Sequence, residues 1–408
     1  MNWWPFGKKT ETRDLTSWDL LQGTTYYSAT GTPISPEAAA GHAVAHRCIS
    51  VIAENLASVP LVLYRKTADG GREPATDHPL HDVLQSQSSS LLTAYEAREA
   101  LIVSCLLFGN AFAKIERNGR GQVAALHPIP ASRVSVEQLA SGRLRYRVSP
   151  ITVASTETLL ADEILHLRYR LDRTTGFLGQ SPISIAAATF GLALSQQEQA
   201  GSAAENAFRP SGLLTFPDKL SGAGKEDIIT KFQNRLIGSL KANQPLVLDG
   251  GATWSNISFN SKDSEFLASR QLSNLDVCRI FGVPPTAAGI VDQATYSNVE
   301  GESRALVQRC LQPWAKRIEQ TMNVALLSPE SRKSLFIEHD LDGLLHGSLV
   351  DRYNAYRVGR EGGWLSTNEI RSMENMSKIP DGDQFVQALN MGLVGANDNK
   401  AKIDEAAA

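Results

Sequence analysis

Two stretches of helical periodicity and matched length, 225–240 and 264–281, flank a segment that alternates like a β-hairpin. A lone hairpin is marginal in water, so this one is expected at the tip of a stalk made by the two helices. The first helix puts Ile228, Phe232, Leu236 and Leu240 on one stripe. Leu246-Val247-Leu248 follows, then the turn Asp249-Gly250-Gly251, then Trp254, Asn256 and Ser258 alternating with Ile257 and Phe259. The second helix begins near Asp263 and Glu265 and ends with Arg279 before Gly282, the polarity its dipole favours. At 1.5 Å per residue each helix spans roughly 24–27 Å.

Before the stalk the chain reads as α+β. Residues 1–35 are polar, rich in Thr and Ser, and expected to be extended or partly disordered; Trp3, Trp4 and Phe6 could anchor on a neighbouring subunit or pack locally. One helix is expected from Pro36 to Leu56, with Ala39, Ala43, His46, Ile49 and Ile52 on a face, ended by Val59-Pro60. Strands are expected at Leu61–Tyr64, Asn110–Glu116, Val123–Leu126, Arg143–Val148 and Ile164–Arg168, with a helix at Ala94–Phe108 stopped by Gly109. Ser181-Pro182 is a helix start, and the stretch to Phe208 is rich in small residues that suit either close helix packing or a subunit contact. After Val283-Pro284-Pro285 an irregular stretch to Val299 is expected. A long helix to about Leu327 then carries Leu311, Trp314, Ile318, Met322 and Ala325, kinked at Pro313. Helices around Leu344–Arg360 and Thr367–Glu374 and a loose tail close the chain.

A chain of 408 residues exceeds one ordinary core, so two or more compact regions are expected. With 42% apolar and 20% charged residues and a formal net charge of −3, it is no polybasic nucleic-acid binder. Cys48, Cys105, Cys278 and Cys310 are scattered without a C-x-x-C pair and read as reduced, buried thiols. The MNWWPFGKK start lacks an apolar core for secretion, and no stretch approaches ~18 uninterrupted apolar residues, so no membrane span is expected.

In order along nearly the whole chain, the motifs resemble the phage portal proteins of the Hong Kong 97 type. HAVAHRCISVIAENLASVPLVLYRK is similar to the family's N-terminal signature, and HPLHDVLQSQ with LLFGNAFAKIERNGRGQVAALHPIPASRV to its next block. EILHLRYRLDRTTGFLGQSPI resembles its His-then-Gly-x-Ser-Pro segment, and NAFRPSGLL follows in place. The most specific run is SRQLSNLDVCRIFGVPPTAAGIVDQATYSNVEGESRALVQRCLQPWAKRIEQTMN, and GGWLSTNEIRSMENMSKIPDGD resembles the C-terminal close. The long polar N-terminal segment departs from the pattern.

The resemblance implies an α+β portal fold assembled as a closed ring, a dodecamer in particles. It implies an N-terminal extension (1–35), an α/β wing (36–223), stem helices at 224–241 and 263–282, and a clip hairpin between them at 242–262. A tunnel loop (283–299), a long Pro-kinked wing helix (300–328), a helical crown (329–395) and a tail (396–408) would follow. It implies no cofactor, metal or catalysis. Its implied partners are other copies of the chain, double-stranded DNA in transit, the terminase large subunit, a head–tail adaptor and the major capsid protein. The place is the portal vertex of a virion or phage-like particle assembled in a bacterial host's cytoplasm.

A conduit must guide DNA without gripping it, since each phosphate neutralised by Lys or Arg strengthens binding. Between Arg279 and Arg304 there is no Lys or Arg, while Asp292, Glu300 and Glu302 are acidic; Ala242–Ser261 has no base and one acid, Asp249. The loop around Asp292, Gln293, Tyr296 and Asn298 is therefore the candidate DNA-facing segment. Lys231, Arg235, Lys241, Lys262 and Arg270 on the stem could make transient phosphate contacts or pair between subunits. Asp249 and Trp254 are the candidate clip contacts for terminase or adaptor.

Catalytic motifs fall away on inspection. His42 and His46 stand one helical turn apart without the Glu of a zincin. Ser221-Gly-Ala-Gly-Lys225 has Lys219 and Glu226 where a P-loop needs Gly and Ser/Thr. Gly179-Gln-Ser181-Pro-Ile183 lacks the second Gly of a nucleophile elbow, leaving Ser181 as a helix cap. Asp381-Gly382-Asp383 is a turn without further calcium ligands. The cluster His339, Asp340, Asp342, His346 and Asp351 reads as a solvated helix start with Asp340 or Asp342 as cap. The alternative is a particle-associated metal-dependent nuclease, because paired carboxylates hold two Mg²⁺ ions.

Overall fold

The computed structural model describes residues 26–27, 33–68, 70–150, 155–206, 212–215, 253–256, 260–290, 296–341, 349–374 and 376–385. The chain divides into two compact units, Met1–Asp340 and Leu341–Ala408.

The first unit opens earlier than the sequence reading expects: β1 (Tyr26–Tyr27) pairs antiparallel with β2 (Pro33–Ile34), and Ile34 is fully buried. The single helix expected from Pro36 is two, α1 (Pro36–Ala40) and α2 (Ala43–Ser58). Gly41 closes the first, and His42 leaves helical geometry at ψ 123° to become the N-cap position of the second. His42 thus stands one turn before His46, whose N–H its carbonyl accepts at 2.9 Å. β3 (Leu61–Lys66) and β4 (Arg72–Pro74) follow. Pro79 starts α3 (Pro79–Gln85), where the His78 ring accepts the Leu80 N–H at 3.1 Å. α4 (Ala94–Phe108) begins with a full Thr93/Glu96 capping box and ends at Gly109 in the left-handed region. From α4, the half-buried Arg98 guanidinium donates to Leu84 O of α3 and, at 2.6 Å, to Ala57 O of α2. It thus satisfies the terminal carbonyls of two helices at once.

β5 (Asn110–Arg117) and β6 (Val123–Ile129) form a hairpin; then come β7 (Val134–Gln138), β8 (Leu144–Val148), β9 (Glu157–Leu160), β10 (Ile164–Arg168), β11 (Arg170–Leu171) and β12 (Gly179–Gln180). Two three-stranded antiparallel sheets result, in the orders β10-β5-β6 and β7-β8-β9. Their shared core holds Phe112, Val136, Tyr146, Val148, Leu159 and Ile164. Ser181 caps α5 (Pro182–Ile185) through the Ser184 N–H at 2.9 Å, the role read from sequence, and α6 (Ala187–Asn206) continues.

Beyond α6, β13 (Gly212–Thr215) pairs antiparallel with β14 (Thr253–Asn256). The sequence reading pairs this second strand with Leu246–Leu248 instead; that partner and the whole first stem helix, 224–241, lie outside the described residues. α7 (Asn260–Phe281) starts four residues before the expected Ser264, drawing Asn260 to Lys262 out of the expected clip. α8 (Tyr296–Ala305), a π-helical stretch (Leu306–Leu311) and α9 (Gln312–Leu326) form one continuous element. Pro313 sits in the first turn of α9 and has no N–H to return to Arg309. The wider π turns just before it take up the mismatch, so the break precedes the proline rather than bending a regular helix at it.

The unit closes with α10 (Ser331–Ser334) and β15 (Leu335–His339). The reading of 329 onward as helical crown is corrected here. Leu335, Ile337 and His339 alternate into the core, and the strand pairs antiparallel with β3, giving the sheet β15-β3-β4. The second unit contains α11 (Leu349–Glu361) and α12 (Thr367–Met373), the latter with a Ser366/Glu369 capping box. Arg352 and Tyr356 of α11 both meet the Glu374 carboxylate, at 2.9 and 3.0 Å, tying α11 to the end of α12.

Candidate functional site

The segment that ends α7 and leads to α8 is built by two successive glycine closures. Gly282, at φ +70°, donates to Arg279 O and Val283 donates to Cys278 O, a Schellman ending with Val283 and Cys278 both buried. The chain then makes one helical turn from Pro284, and the pattern repeats. Gly289, at φ +83°, donates to Thr286 O, and Ile290 to Pro285 O. The Thr286 hydroxyl donates to the Glu302 carboxylate of α8, so the turn is tied to the helix that follows it. Residues 283–290 are thus an ordered turn, and Tyr296 to Val299, expected in the loop, form the first turn of α8.

What holds this segment is the inner half of α7. Phe281 packs edge-on against Phe190 of α6, with ring centroids 6.2 Å apart. The Cys278 and Cys48 sulfurs lie 4.0 Å apart, and the Cys310 thiol of the π stretch donates to Phe281 O at 3.6 Å. All four cysteines are buried and reduced. Gln196 of α6 donates to Ser269 Oγ at 2.7 Å. Burial first, and the charge of Arg270 second, lower the His42 pKa, so this histidine stays neutral beside α7.

Among the expected site residues, Arg270 is exposed on α7, as a phosphate contact requires. Lys262 lies on the first turns of α7, Tyr296 and Asn298 on the first turn of α8, and Trp254 on β14. Lys231, Arg235, Lys241, Asp249, Asp292 and Gln293 lie outside the described residues. Glu302, one of the acids between Arg279 and Arg304, lies on α8 and is the acceptor that anchors Thr286.

Of the cluster that begins at His339, the described part is the end of β15 and the residue that continues it. The His339 side chain is fully buried at the end of β15, with Nδ1 3.1 Å from Glu319 Oε1, and the His339 N–H donates to the same oxygen at 3.0 Å. Burial alone would raise the Glu319 carboxyl. The hydrogen bonds from His339 and from Lys316, the latter at 2.8 Å, outweigh it and hold the pKa at about 2. Asp340 continues the ladder by donating its N–H to Pro60 O at 2.9 Å; the helix start expected after it lies outside the described residues. Asp342 and His346 lie outside the described residues, and among the described residues no three His, Cys, Asp or Glu side chains are grouped to hold a metal.

One buried network escaped the sequence reading, although its residues lie in two quoted motifs. Asn110 Oδ1 accepts the Gly179 N–H at 2.7 Å and the His166 Nε2–H at 3.0 Å, while Asn110 Nδ2 donates to Gly179 O at 2.8 Å and Phe108 O at 3.2 Å. His166 Nδ1 then accepts the Tyr146 hydroxyl at 3.2 Å, which fixes the tautomer. Desolvation, aided by Arg168, pushes the His166 pKa well below its ordinary value. The Gly-Asn and Gly-x-Ser-Pro motifs therefore meet as a structural lock.

Comparison with known proteins matches residues 43–375 to the family described as "Phage portal protein". The portal protein of Enterobacteria phage HK97 is 28% identical over 359 residues, covering 85% of this chain and 82% of its own. A probable portal protein of Streptomyces phage phiC31 is 26% identical over 382 residues, covering 90% and 82%. Among solved structures, a chain from the neck of an empty GTA particle computed with C6 symmetry is 25% identical. It aligns over 83% of this chain and 92% of its own with a TM-score of 0.61. An HK97 family phage portal protein from Corynebacterium diphtheriae shares the fold at 18% identity and a TM-score of 0.55, over 75% and 95% of the two chains.

Proposed function

Because this chain belongs to the phage portal protein family, a portal protein of a phage or gene transfer agent particle, we propose that identical copies of it close into a ring, a dodecamer in the assembled particle, around a bore that conducts double-stranded DNA. The observation that carries the bore assignment is the run from Arg279 to Arg304, which contains no cation between its ends and carries Asp292, Glu300 and Glu302. Duplex DNA presents one negative charge per about 1.7 Å of axis, and a ring repeats every lining residue in each subunit. A lining without cations lets the polyanion slide. The segment around Asp292, Gln293, Tyr296 and Asn298 faces the DNA in this reading, and Lys231, Arg235, Lys262 and Arg270 make brief phosphate contacts along the stem. Asp249 and Trp254 at the clip meet the terminase large subunit during packaging and a head–tail adaptor afterwards; the wing meets the major capsid protein. The ring catalyses nothing and sits at one vertex of the particle, having assembled in the host cytoplasm.

Negative-stain microscopy of the purified chain is expected to show a perforated ring; monomers or solid particles overturn the assembly. Replacing Asp292 and Gln293 by Lys is expected to slow packaging while rings still form. Unchanged packaging rates in that variant refute the placement of the loop.

A further inference from the structure

The outer face of the β7-β8-β9 sheet gathers positive charge on a chain whose net charge is −3. One face of this sheet points Val136, Tyr146, Val148 and Leu159 into the core. Strand alternation therefore sends Arg145 and Arg147 of β8 to the other face, and Arg143, immediately before β8, has the same parity. The cross-strand register sets Arg145 opposite Glu137 and Arg147 opposite Ser135 and Thr158. Glu137 takes Arg145 Nε–H on one carboxylate oxygen at 3.0 Å, and the other lies 3.2 Å from Arg147 Nε. This carboxylate orients both guanidinium forks yet is only 18% exposed, against 48% for Arg147, so the cations face outward. Hydroxyls of Ser135 and Thr158 line the same open cleft, which has a volume of about 510 Å³. Arg143 is exposed and forms no ion pair among the described residues.

We propose that this cleft docks an extended acidic segment of a partner protein, with carboxylates at alternate positions seated on Arg145 and Arg147, which line it, and a further one reaching the exposed Arg143 just beyond the strand. Residues two apart on a strand are spaced by roughly 6.6 Å, and an extended peptide repeats its side chains at the same interval. Guanidinium forks take carboxylates bidentately, and the Thr158 hydroxyl beside them can donate to a remaining lone pair. Nucleic acid fits less well. Three arginines and one carboxylate leave a face with few cations where protein–DNA contacts commonly neutralise about 6–10 phosphates, and Glu137 stands among them.

The test uses the full-length chain and a fluorescein-labelled ten-residue peptide in which glutamate alternates with serine, followed by anisotropy at low salt. Saturable binding is expected, weakened about tenfold or more by the double variant Arg145→Ala/Arg147→Ala and strengthened by Glu137→Gln. A peptide of equal charge with its glutamates contiguous is expected to bind more weakly. Should the double variant misfold, Arg143→Glu, a reversal at an exposed position, is expected to weaken binding at least severalfold. Absence of saturable binding, indifference to these substitutions, or tighter arginine-dependent binding of a twelve-base-pair duplex overturns the proposal.

Discussion

At Gly109 and Gly179 two backbones touch, at the crossing of the turn that ends α4 with β12. A Cβ on Gly109 would lie 2.5 Å from Ser181 N, and one on Gly179 would lie 2.0 Å from Gly109 O. Neither neighbour is a flexible side-chain tip, so neither can step aside. Gly109 also holds φ +75°, which side chains disfavour. Asn110, next in the chain, satisfies both its carboxamide groups on this crossing: two donors reach Oδ1 and two carbonyls receive Nδ2. Truncating it strands a buried N–H and carbonyl of Gly179 together with the His166 ring. Asn110→Ala is therefore expected to cost ~2–4 kcal/mol in urea unfolding. Asn110→Asp is expected to cost at least as much, because a carboxylate oxygen then faces the carbonyls of Phe108 and Gly179. A loss below about 1 kcal/mol for Asn110→Ala contradicts the lock.

Single elements show which parts of the fold local sequence can announce. The Gly109 stop of α4, the Ser181-Pro182 start of α5 and the Gly282 stop of α7 were legible because each is made by residues adjacent in the chain. β15 was not. Its five residues are too few for a period to stand out, and its partner β3 lies some 270 positions away. Tyr296-Ser-Asn-Val299 read as loop because Ser and Asn compete with helical hydrogen bonds, yet the first turn of a helix is where such residues are tolerated. The resemblance located the candidate bore segment, but the tie between Thr286 and Glu302 links positions that no spacing rule connects. Thr286→Val tests that tie. The Gly282 closure belongs to α7 and does not depend on it, whereas the Gly289 closure does. Hydrogen exchange is expected to quicken about tenfold at the Ala288, Gly289 and Ile290 amides, the loss of one hydrogen bond to a charged group, and to stay unchanged at Val283. Equal acceleration at both closures would mean that the turn opens together with the end of α7.

On the scale of the whole first unit, stability should decline with acid in two separate windows, because two kinds of buried group among the described residues, histidines and a carboxylate, have shifted pKa values there. His166 and His42 have lowered pKa values in the fold. Below about pH 6.5 the unfolded chain binds protons that these folded rings resist, so stability falls with falling pH, by up to about 1.4 kcal/mol per unit for each ring. Glu319 is held at about 2 against an ordinary 4.5. Its contribution is complete above pH 4.5 and disappears as pH drops toward 2, roughly 3 kcal/mol in all. That carboxylate joins α9 to β15 through His339, and β15 closes the sheet on β3, so its protonation loosens a seam between distant parts of the chain. Glu319→Gln separates the windows. The variant is expected to be less stable than the parent at pH 7 and to keep the decline that begins near pH 6.5. It should converge on the parent as pH approaches 2, where the parent's carboxyl is itself neutral. Urea midpoints at pH 8, 6, 4 and 2.5 measure both curves; a constant gap between them from pH 6 to 2.5 would show that Glu319 acts through packing and that its charge contributes nothing.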